Sequence, residues 1–218
     1  LKNLILNIRK NKNFSLKVIA SGSHFSKKFG YTYKEIKNSK IKIDKKIVCE
    51  FNSNNIEGAS KIMSKSILET SKILKNLKTE LLIVLGDRYE ILASVISAHL
   101  SRIPVAHIHG GEVTQGAIDD AFRHSITKMS HIHFAANQIY KKRIIQLGEN
   151  PLHVYSVGGL GIDSISKTNF LTKKELEKKF NFKFNKYNFI INFHPETINK
   201  NLAKKKINEL LLALSKLN

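Results

Sequence analysis

Short apolar runs alternate with helical patterns along most of this chain. The run at residues 81–85 ends at Gly86 and is followed at once by polar residues. A helical pattern covers residues 91–100, and a second apolar run at residues 103–109 ends at two glycines and Glu112. Continuous apolar runs of this length are typical of buried parallel strands. The pattern therefore predicts a βαβ unit, and with it an α/β fold built on a parallel sheet.

The rest of the chain continues in the same way. Apolar residues recur at helical spacing in several segments, which predicts helices at residues 1–8, 59–77, 114–130, 140–147 and 168–184. Short β-type runs predict strands at residues 16–20, 130–135, 154–157 and 189–193, with possible edge strands at 41–43 and 47–48. The chain opens on Leu1 inside a helical pattern and breaks off inside another, whereas α/β domains normally open on a strand. We therefore expect an internal fragment of a longer protein.

The charge of the chain is strongly positive but unevenly placed. The net charge is +20, yet residues 81–165 carry 7 basic and 7 acidic side chains, and the excess lies on the flanks as Lys. A surface that stacks bases interleaves Arg with aromatic residues, which the flanks do not do. This distribution argues against nucleic acid as a partner. The single Cys49, the lack of a signal peptide and the lack of an apolar run near 20 residues predict a cytoplasmic protein without a membrane span.

Two acidic residues follow the two central strands. Asp87 comes directly after the first glycine turn, and Glu112 follows the second. Ligand sites of open parallel sheets lie beyond the carboxyl ends of their strands. We therefore expect Asp87 and Glu112 to face one crevice.

The helix after Glu112 carries two pairs of charged residues at i,i+4 spacing. Thr114 is the predicted N-cap, and the predicted buried stripe consists of Ile118, Phe122, Ile126 and Met129. Asp119 with Arg123 and Asp120 with His124 form either solvent-facing pairs or part of the crevice. Periodicity alone favours the solvent-facing alternative.

Histidines recur near predicted strand ends. His107 and His109 share one face of a strand, and His131 and His133 repeat the spacing on the next strand. Such pairs can bind zinc, but no Cys or carboxylate stands at a recognised ligand spacing, so core or cleft-lining histidines are favoured and no metal is predicted. His24 follows the strand at residues 16–20, where either a sugar- or phosphate-facing turn or a plain exposed turn fits the pattern. The chain contains neither a GxGxxG fingerprint nor a P-loop.

Six segments taken together resemble the hydrolysing UDP-N-acetylglucosamine 2-epimerases of sialic-acid-type sugar synthesis. Their order and spacing agree over nearly the whole chain. The segments are GDRYE (86–90), HIHGGE (107–112), IDDAFRHSITK (118–128), QLG (146–148), VGGLGID (157–163) and FHPET (193–197).

The resemblance implies a two-domain fold of the GT-B type, with the site in the cleft between Rossmann-like halves. Residues 1–165 would be the N-terminal Rossmann-like domain without its first strand, and residues 166–218 the start of the nucleotide-binding domain. The implied reaction eliminates UDP from a UDP-N-acetylated amino sugar and adds water to release the free 2-epimer. The substrate would be UDP-N-acetylglucosamine or its 2,4-diacetamido-trideoxy analogue, which feed sialic acid and legionaminic acid respectively. A fragment without its nucleotide half should be inactive.

The resemblance also implies roles for individual residues. The acid/base set is Asp87, Glu112 and Asp120, with Asp119 as the close substitute for Asp120. The candidates for holding the nucleotide sugar are His24, Arg88, Arg123, His124 and His194. No metal or organic cofactor is implied, and the family suggests a dimer or tetramer. Two alternatives stay open: a GT-B glycosyltransferase that uses a UDP-sugar, and a non-catalytic module that binds a sugar nucleotide.

Overall fold

The computed structural model of the chain describes residues 1–27, 30–49, 56–166, 168–193 and 200–217. The helices and strands are α1 (Lys2–Lys10), β1 (Ile19–Ser21), α2 (Tyr33–Asn38), β2 (Lys45–Ile47), α3 (Ile56–Asn76), β3 (Leu82–Leu85), α4 (Tyr89–Leu100), β4 (Val105–Ile108), α5 (Asp119–Lys128), β5 (Ile132–Ala135), α6 (Gln138–Gln146), β6 (Val154–Ser156), α7 (Leu160–Ser166), α8 (Lys173–Phe180) and α9 (Lys200–Leu214). Short 3-10 helices lie at Gly22–Phe25 and Pro151–His153.

The central sheet has the order β3-β4-β5-β6, and every neighbouring pair in it is parallel. A helix connects each strand to the next, which makes three successive βαβ units. β1 and β2 form a separate parallel pair. The predicted α/β fold with a parallel sheet is confirmed.

The core lies between this sheet and the helices α3, α4 and α5. α4 is apolar on most of its surface because it packs against α3, α5 and β3. The side chains buried there include Leu74, Val95, Val105 and Ile126, and none of them is more than 1% exposed. Burying each side chain of this size contributes roughly 1.5 to 3 kcal/mol before entropy is counted.

Helix α5 begins later than its sequence pattern predicts. Thr114 does not cap it, because residues 114–117 form a turn in which Ala117 donates to the carbonyl of Thr114 at 3.1 Å. The helix starts at Asp119, and Ile118 is 60% exposed, so its predicted place in the buried stripe is wrong. Arg123 is buried in its stead, at 5% exposure.

Two further predictions for the polar flanks are wrong. Residues 189–193 form no strand, because no described strand lies beside them to pair with their backbone, and Ile190 is fully exposed. Residues 41–43 also stay outside the strands, although Ile41 is buried.

The helix predicted at 168–184 is shorter in the structure, since a capping box between Thr172 and Glu175 sets its start. The domain boundary near residue 165 stays a prediction.

Candidate functional site

A cavity of about 430 Å³ lies beyond the carboxyl ends of β3 and β4. β3 delivers Asp87 to its wall, the loop after β4 delivers His109 and Glu112, and α5 contributes Arg123. The remaining lining residues are Leu1, Leu85, Gly86, Leu160, Gly161 and Ser164. The predicted convergence of Asp87 and Glu112 on one crevice is therefore observed.

The Arg123 guanidinium is the buried cation of this site. Its Nη2 donates to an Asp87 carboxylate oxygen and, at 3.1 Å, to the Thr114 hydroxyl. Its Nη1 lies 3.5 Å from Oδ1 of Asp120. The Nε and Nη1 atoms of Arg123 are buried and have no hydrogen-bond partner among the described residues. Unpaired buried donors of this kind cost free energy unless a ligand or water accepts from them.

Asp120 lies behind Arg123 and does not line the cavity. Its Oδ1 accepts a hydrogen bond from the backbone N–H of Thr114 at 2.8 Å, and its Oδ2 is 3.7 Å from Nε2 of His124. Asp120 thus joins the loop before α5 to the guanidinium of Arg123. His124 keeps a buried Nδ1 with no hydrogen-bond partner in the described part of the chain.

Asp119 occupies a different environment from Asp120. Burial raises the pKa of Asp119, and the nearby Asp87 carboxylate raises it further. Both effects penalise the ionised form, because burial removes hydration and a second negative charge repels the first. A carboxyl group with a raised pKa is better suited to hold and donate a proton near neutral pH.

The turn that carries Glu112 is held tightly against α6. Gly111 has a φ of +75°, and a Cβ at this position would lie 2.8 Å from Cγ1 of Ile144 and would also meet the carbonyl oxygen of Tyr140. Arg143 of α6 donates a hydrogen bond to the Gly111 carbonyl. Only glycine fits this position, and the turn directs Glu112 into the cavity.

Glu112 is hydrogen-bonded to His109. Nδ1 of His109 and Oε1 of Glu112 are 2.7 Å apart, and both side chains are about one-quarter exposed, at 25% and 27%. An ionised carboxylate only accepts hydrogen bonds, so Nδ1 of His109 carries the proton. The backbone of His109 has a φ of +64°, which is unusual for a residue with a side chain.

His107 lies below the site and is fully buried. Its Nε2 donates to the carbonyl of Gly86 at 2.9 Å, and its Nδ1 is 3.2 Å from the hydroxyl of Thr127 on α5. Burial lowers the pKa of His107 to about 4, so the ring is neutral near pH 7. Because a carbonyl only accepts, Nε2 bears the ring proton and Nδ1 is left as an acceptor beside the Thr127 hydroxyl, which also lies 3.0 Å from the carbonyl oxygen of Arg123. His107 thereby ties the turn before Asp87 to α5.

Among the described residues, three predicted binding residues do not line the cavity: His24, Arg88 and His124. Arg88 points to Glu90, with two N–O distances of 3.1 Å, and does not line the cavity. His24 is exposed and bonded to the Thr32 hydroxyl at 2.7 Å. His194 lies outside the described residues.

The site contains contributors to which the sequence patterns assign no role in binding or catalysis. Thr114 and Arg143 hold the loop on either side of Glu112, and His109 lines the cavity and is bonded to Glu112. The glycine pair at 110–111 was the one available signal, because such a pair after a strand indicates close backbone packing.

The histidines near the sheet are engaged with protein partners. His133 is paired with His107 across β4 and β5, and its Nε2 is 3.2 Å from Oε2 of Glu149. In the part of the chain that the structure describes, no three His, Cys, Asp or Glu side chains are grouped as metal ligands would be.

The arrangement provides carboxylates for proton transfer beside a buried cation for a negatively charged group. The family described as UDP-N-acetylglucosamine 2-epimerase matches residues 6–218. The chain belongs to this family.

The names of two relatives refer to different sugars. The chain is 43% identical over 217 residues to the GDP/UDP-N,N'-diacetylbacillosamine 2-epimerase (hydrolyzing) of Campylobacter jejuni, covering 100% of this chain and 56% of that protein. It is 35% identical over 214 residues to the polysialic acid biosynthesis protein P7 of Escherichia coli, covering 98% of this chain and 54% of that protein. The chain therefore spans about half the length of the curated relatives it matches.

The fold also matches solved members of the family. A UDP-GlcNAc 2-epimerase from Neisseria meningitidis, crystallised with UDP-GlcNAc, superposes with a TM-score of 0.76 at 20% identity, covering 99% of this chain and 58% of that one. This likeness confirms the GT-B-like fold, of which the chain covers a little more than half. Among the described helices, none is both long and apolar enough to cross a membrane.

Proposed function

We propose that the complete protein containing this chain is a hydrolysing 2-epimerase of a UDP-N-acetylated amino sugar. The observation that carries the proposal is the convergence of Asp87, Glu112 and buried Arg123 on one cavity at the strand ends. Loss of UDP from C1 with removal of the C2 proton requires a base, an acid and a cation near the leaving diphosphate. Water addition to the resulting double bond then releases the free 2-epimer sugar and UDP.

The predicted site residues at and around the cavity receive roles that fit their positions. Asp87 and Glu112 line the cavity and form the acid/base pair that reaches the sugar. Asp120 holds Arg123 and His124 in place, and Asp119 is the carboxyl group whose raised pKa suits proton donation. Arg123 lines the cavity and would hold an anionic or polar part of the nucleotide sugar, and His194 would reach in from the second domain.

The substrate is one of two related nucleotide sugars. The name of the Campylobacter jejuni relative favours the diacetamido sugar and hence a legionaminic-acid-type product. The name of the Escherichia coli relative favours a sialic-acid-type product, and the name of a Neisseria meningitidis relative, UDP-N-acetylglucosamine 2-epimerase, favours UDP-N-acetylglucosamine as the substrate. The higher identity to the first makes the 2,4-diacetamido-trideoxy sugar our first choice. The cytoplasmic location, the homo-oligomeric state and the inactivity of residues 1–218 alone stay predictions from the sequence.

The test follows UDP release by the complete protein from each of the two nucleotide sugars. The freed sugar is identified by NMR, and Glu112→Gln is compared with Glu80→Gln, which changes an exposed carboxylate away from the cavity. We expect free 2-epimer sugar from one substrate, a loss of at least about 100-fold in kcat for Glu112→Gln, and no change for Glu80→Gln. UDP release only in the presence of an acceptor sugar would replace the proposal with a glycosyltransferase. Binding without release would indicate a non-catalytic module.

A further inference from the structure

His109 is held between a strained backbone and a carboxylate. Its left-handed φ of +64° follows directly after strand β4, and its backbone N–H donates to the carbonyl of Phe134 at 2.9 Å. Left-handed backbone is unfavourable at a non-glycine residue and tends to occur at functional sites. This conformation brings the ring to the cavity wall beside Glu112.

The hydrogen bond to Glu112 fixes the proton on the ring. Nδ1 carries the hydrogen and donates it at 2.7 Å, so Nε2 is left with a lone pair. Nε2 has no hydrogen-bond partner among the described residues, and the side chain lines the same cavity as Asp87 and Arg123. The arrangement leaves one basic nitrogen available to a ligand.

We propose that His109 is a further catalytic residue, whose Nε2 accepts the C2 proton of the sugar while Glu112 stabilises the imidazolium. The proposal rests on the proposed function and changes the role of Glu112 within it. A neutral imidazole is a stronger base than a carboxylate by about two pKa units in model compounds, which suits a poorly acidic C–H. A carboxylate bonded to the opposite ring nitrogen orients the ring and favours its protonated form.

The reaction needs no reactant other than the nucleotide sugar and water. The C2–H bond breaks, its proton goes to Nε2 of His109, and its electron pair forms the C1–C2 double bond. The C1–O bond breaks at the same time, and its electron pair leaves with UDP. Water then adds its oxygen to C1 and loses one proton to solvent, while a protonated carboxyl group of the site donates a proton to C2 from the opposite face. That carboxyl group is reprotonated from solvent, and His109 returns its proton to solvent.

Replacing His109 with asparagine distinguishes a catalytic role of His109 from a role in positioning Glu112. Asn tolerates left-handed backbone, and its Nδ2 can donate to Glu112 from nearly the position of Nδ1, but it has no basic nitrogen. In the complete protein we expect His109→Asn to lower kcat at least about 100-fold with little change in KM. His99→Asn, which changes an exposed histidine on α4, is the matched control and should leave kcat unchanged.

Chemical rescue gives a second readout. His109→Gly keeps the left-handed backbone and leaves space for added imidazole, which should restore at least about a tenth of the lost kcat if a free base is what is missing. Added imidazole should not rescue His109→Asn, whose side chain fills the space.

The experiments distinguish failure of the role proposed for His109 from failure of the proposed function. If the unsubstituted protein releases UDP and His109→Asn retains its kcat, His109 only positions Glu112 and this inference is wrong while the proposed function stands. Absence of rescue in a folded His109→Gly protein would also contradict a role as base. If the unsubstituted protein releases no UDP from either sugar, the proposed function fails and the inference fails with it.

Discussion

Arg143 on helix α6 donates a hydrogen bond to the carbonyl of Gly111, one residue before Glu112. The contact joins a helix outside the cavity to the turn that carries a candidate catalytic carboxylate. Gly111 also packs against Tyr140 and Ile144 of the same helix. The orientation of Glu112 is therefore set by α6 as well as by its own hydrogen bond to His109.

Replacing Arg143 with Met should loosen this turn. The Gly111 carbonyl loses its donor, which should lower the free energy of unfolding by about 1 kcal/mol. A small displacement of Glu112 should lower kcat about tenfold and leave KM nearly unchanged, because positioning errors act on the reacting geometry. Steady-state kinetics and urea unfolding measure the two effects. Lys142→Met, at an exposed neighbouring position, is the control, and equal kcat in both variants would contradict the role of Arg143.

Arg123 and Asp87 should be energetically coupled. The Arg123 side chain is 7% exposed and that of Asp87 is 23% exposed, so removing either charge leaves the other poorly solvated. We expect Arg123→Met to lower the free energy of unfolding by about 3 to 5 kcal/mol. The double variant with Asp87→Asn should be more stable than the sum of the single losses by about 1 to 3 kcal/mol.

A double-mutant cycle by urea unfolding measures this coupling directly. Lys72→Met with Glu69→Gln removes an exposed ion pair on α3, 2.9 Å long, and serves as the comparison. Surface pairs of that kind contribute little. Additive losses for Arg123 and Asp87, as in the exposed pair, would show that the buried contact carries no coupling energy.

The stability of the protein should depend on pH through His107. Its pKa is about 4 in the folded state against 6.5 for an exposed histidine, so the unfolded chain binds more protons between these values. The contribution is fully present above pH 6.5 and is lost as the pH falls towards 4, by about 3 kcal/mol in total. His107→Gln keeps a donor for the Gly86 carbonyl but does not titrate.

Urea unfolding at pH 7.5 and pH 4.5 tests this expectation. The drop in stability between the two conditions should be smaller in His107→Gln than in the unsubstituted protein by about 2 to 3 kcal/mol. His153→Gln, in the exposed turn after α6, should behave like the unsubstituted protein. The raised pKa of Asp119 acts in the opposite sense, and it cancels in the comparison because all variants retain Asp119. An unchanged drop in His107→Gln would exclude His107 as the source.

The central fold could be predicted from sequence because each strand is marked in two ways. The runs that became β3 and β4 are apolar throughout, since both faces of a parallel sheet are covered, and each ends at a glycine. Residues 189–193 carry the same apolar signal, but a strand also needs a neighbour to pair with its backbone. Pairing partners depend on distant parts of a chain, which a local pattern does not contain.

The part of the site that could be predicted from sequence consists of the residues that directly follow strands. Asp87 and Glu112 lie where the topology of parallel strands places polar residues. The burial of Arg123 was harder to predict. A charged residue on a helix is expected to face solvent unless its buried partners, here Asp87, are known. Arg143 gave no local signal, since it acts on a carbonyl 32 residues away along the chain.

The glycine turn also has a consequence for how this protein can evolve. Every substitution at Gly111 adds at least a Cβ, which meets α6, and a Cβ at Gly110 would lie 2.9 Å from Nδ1 of His107. We therefore expect every amino-acid substitution at Gly110 or Gly111 to impair the protein. Variants selected for activity from random libraries should retain glycine at both positions. We expect substitutions that alter substrate preference to accumulate instead at the exposed residues that follow, such as Val113 and Gln115, where a larger side chain can be accommodated.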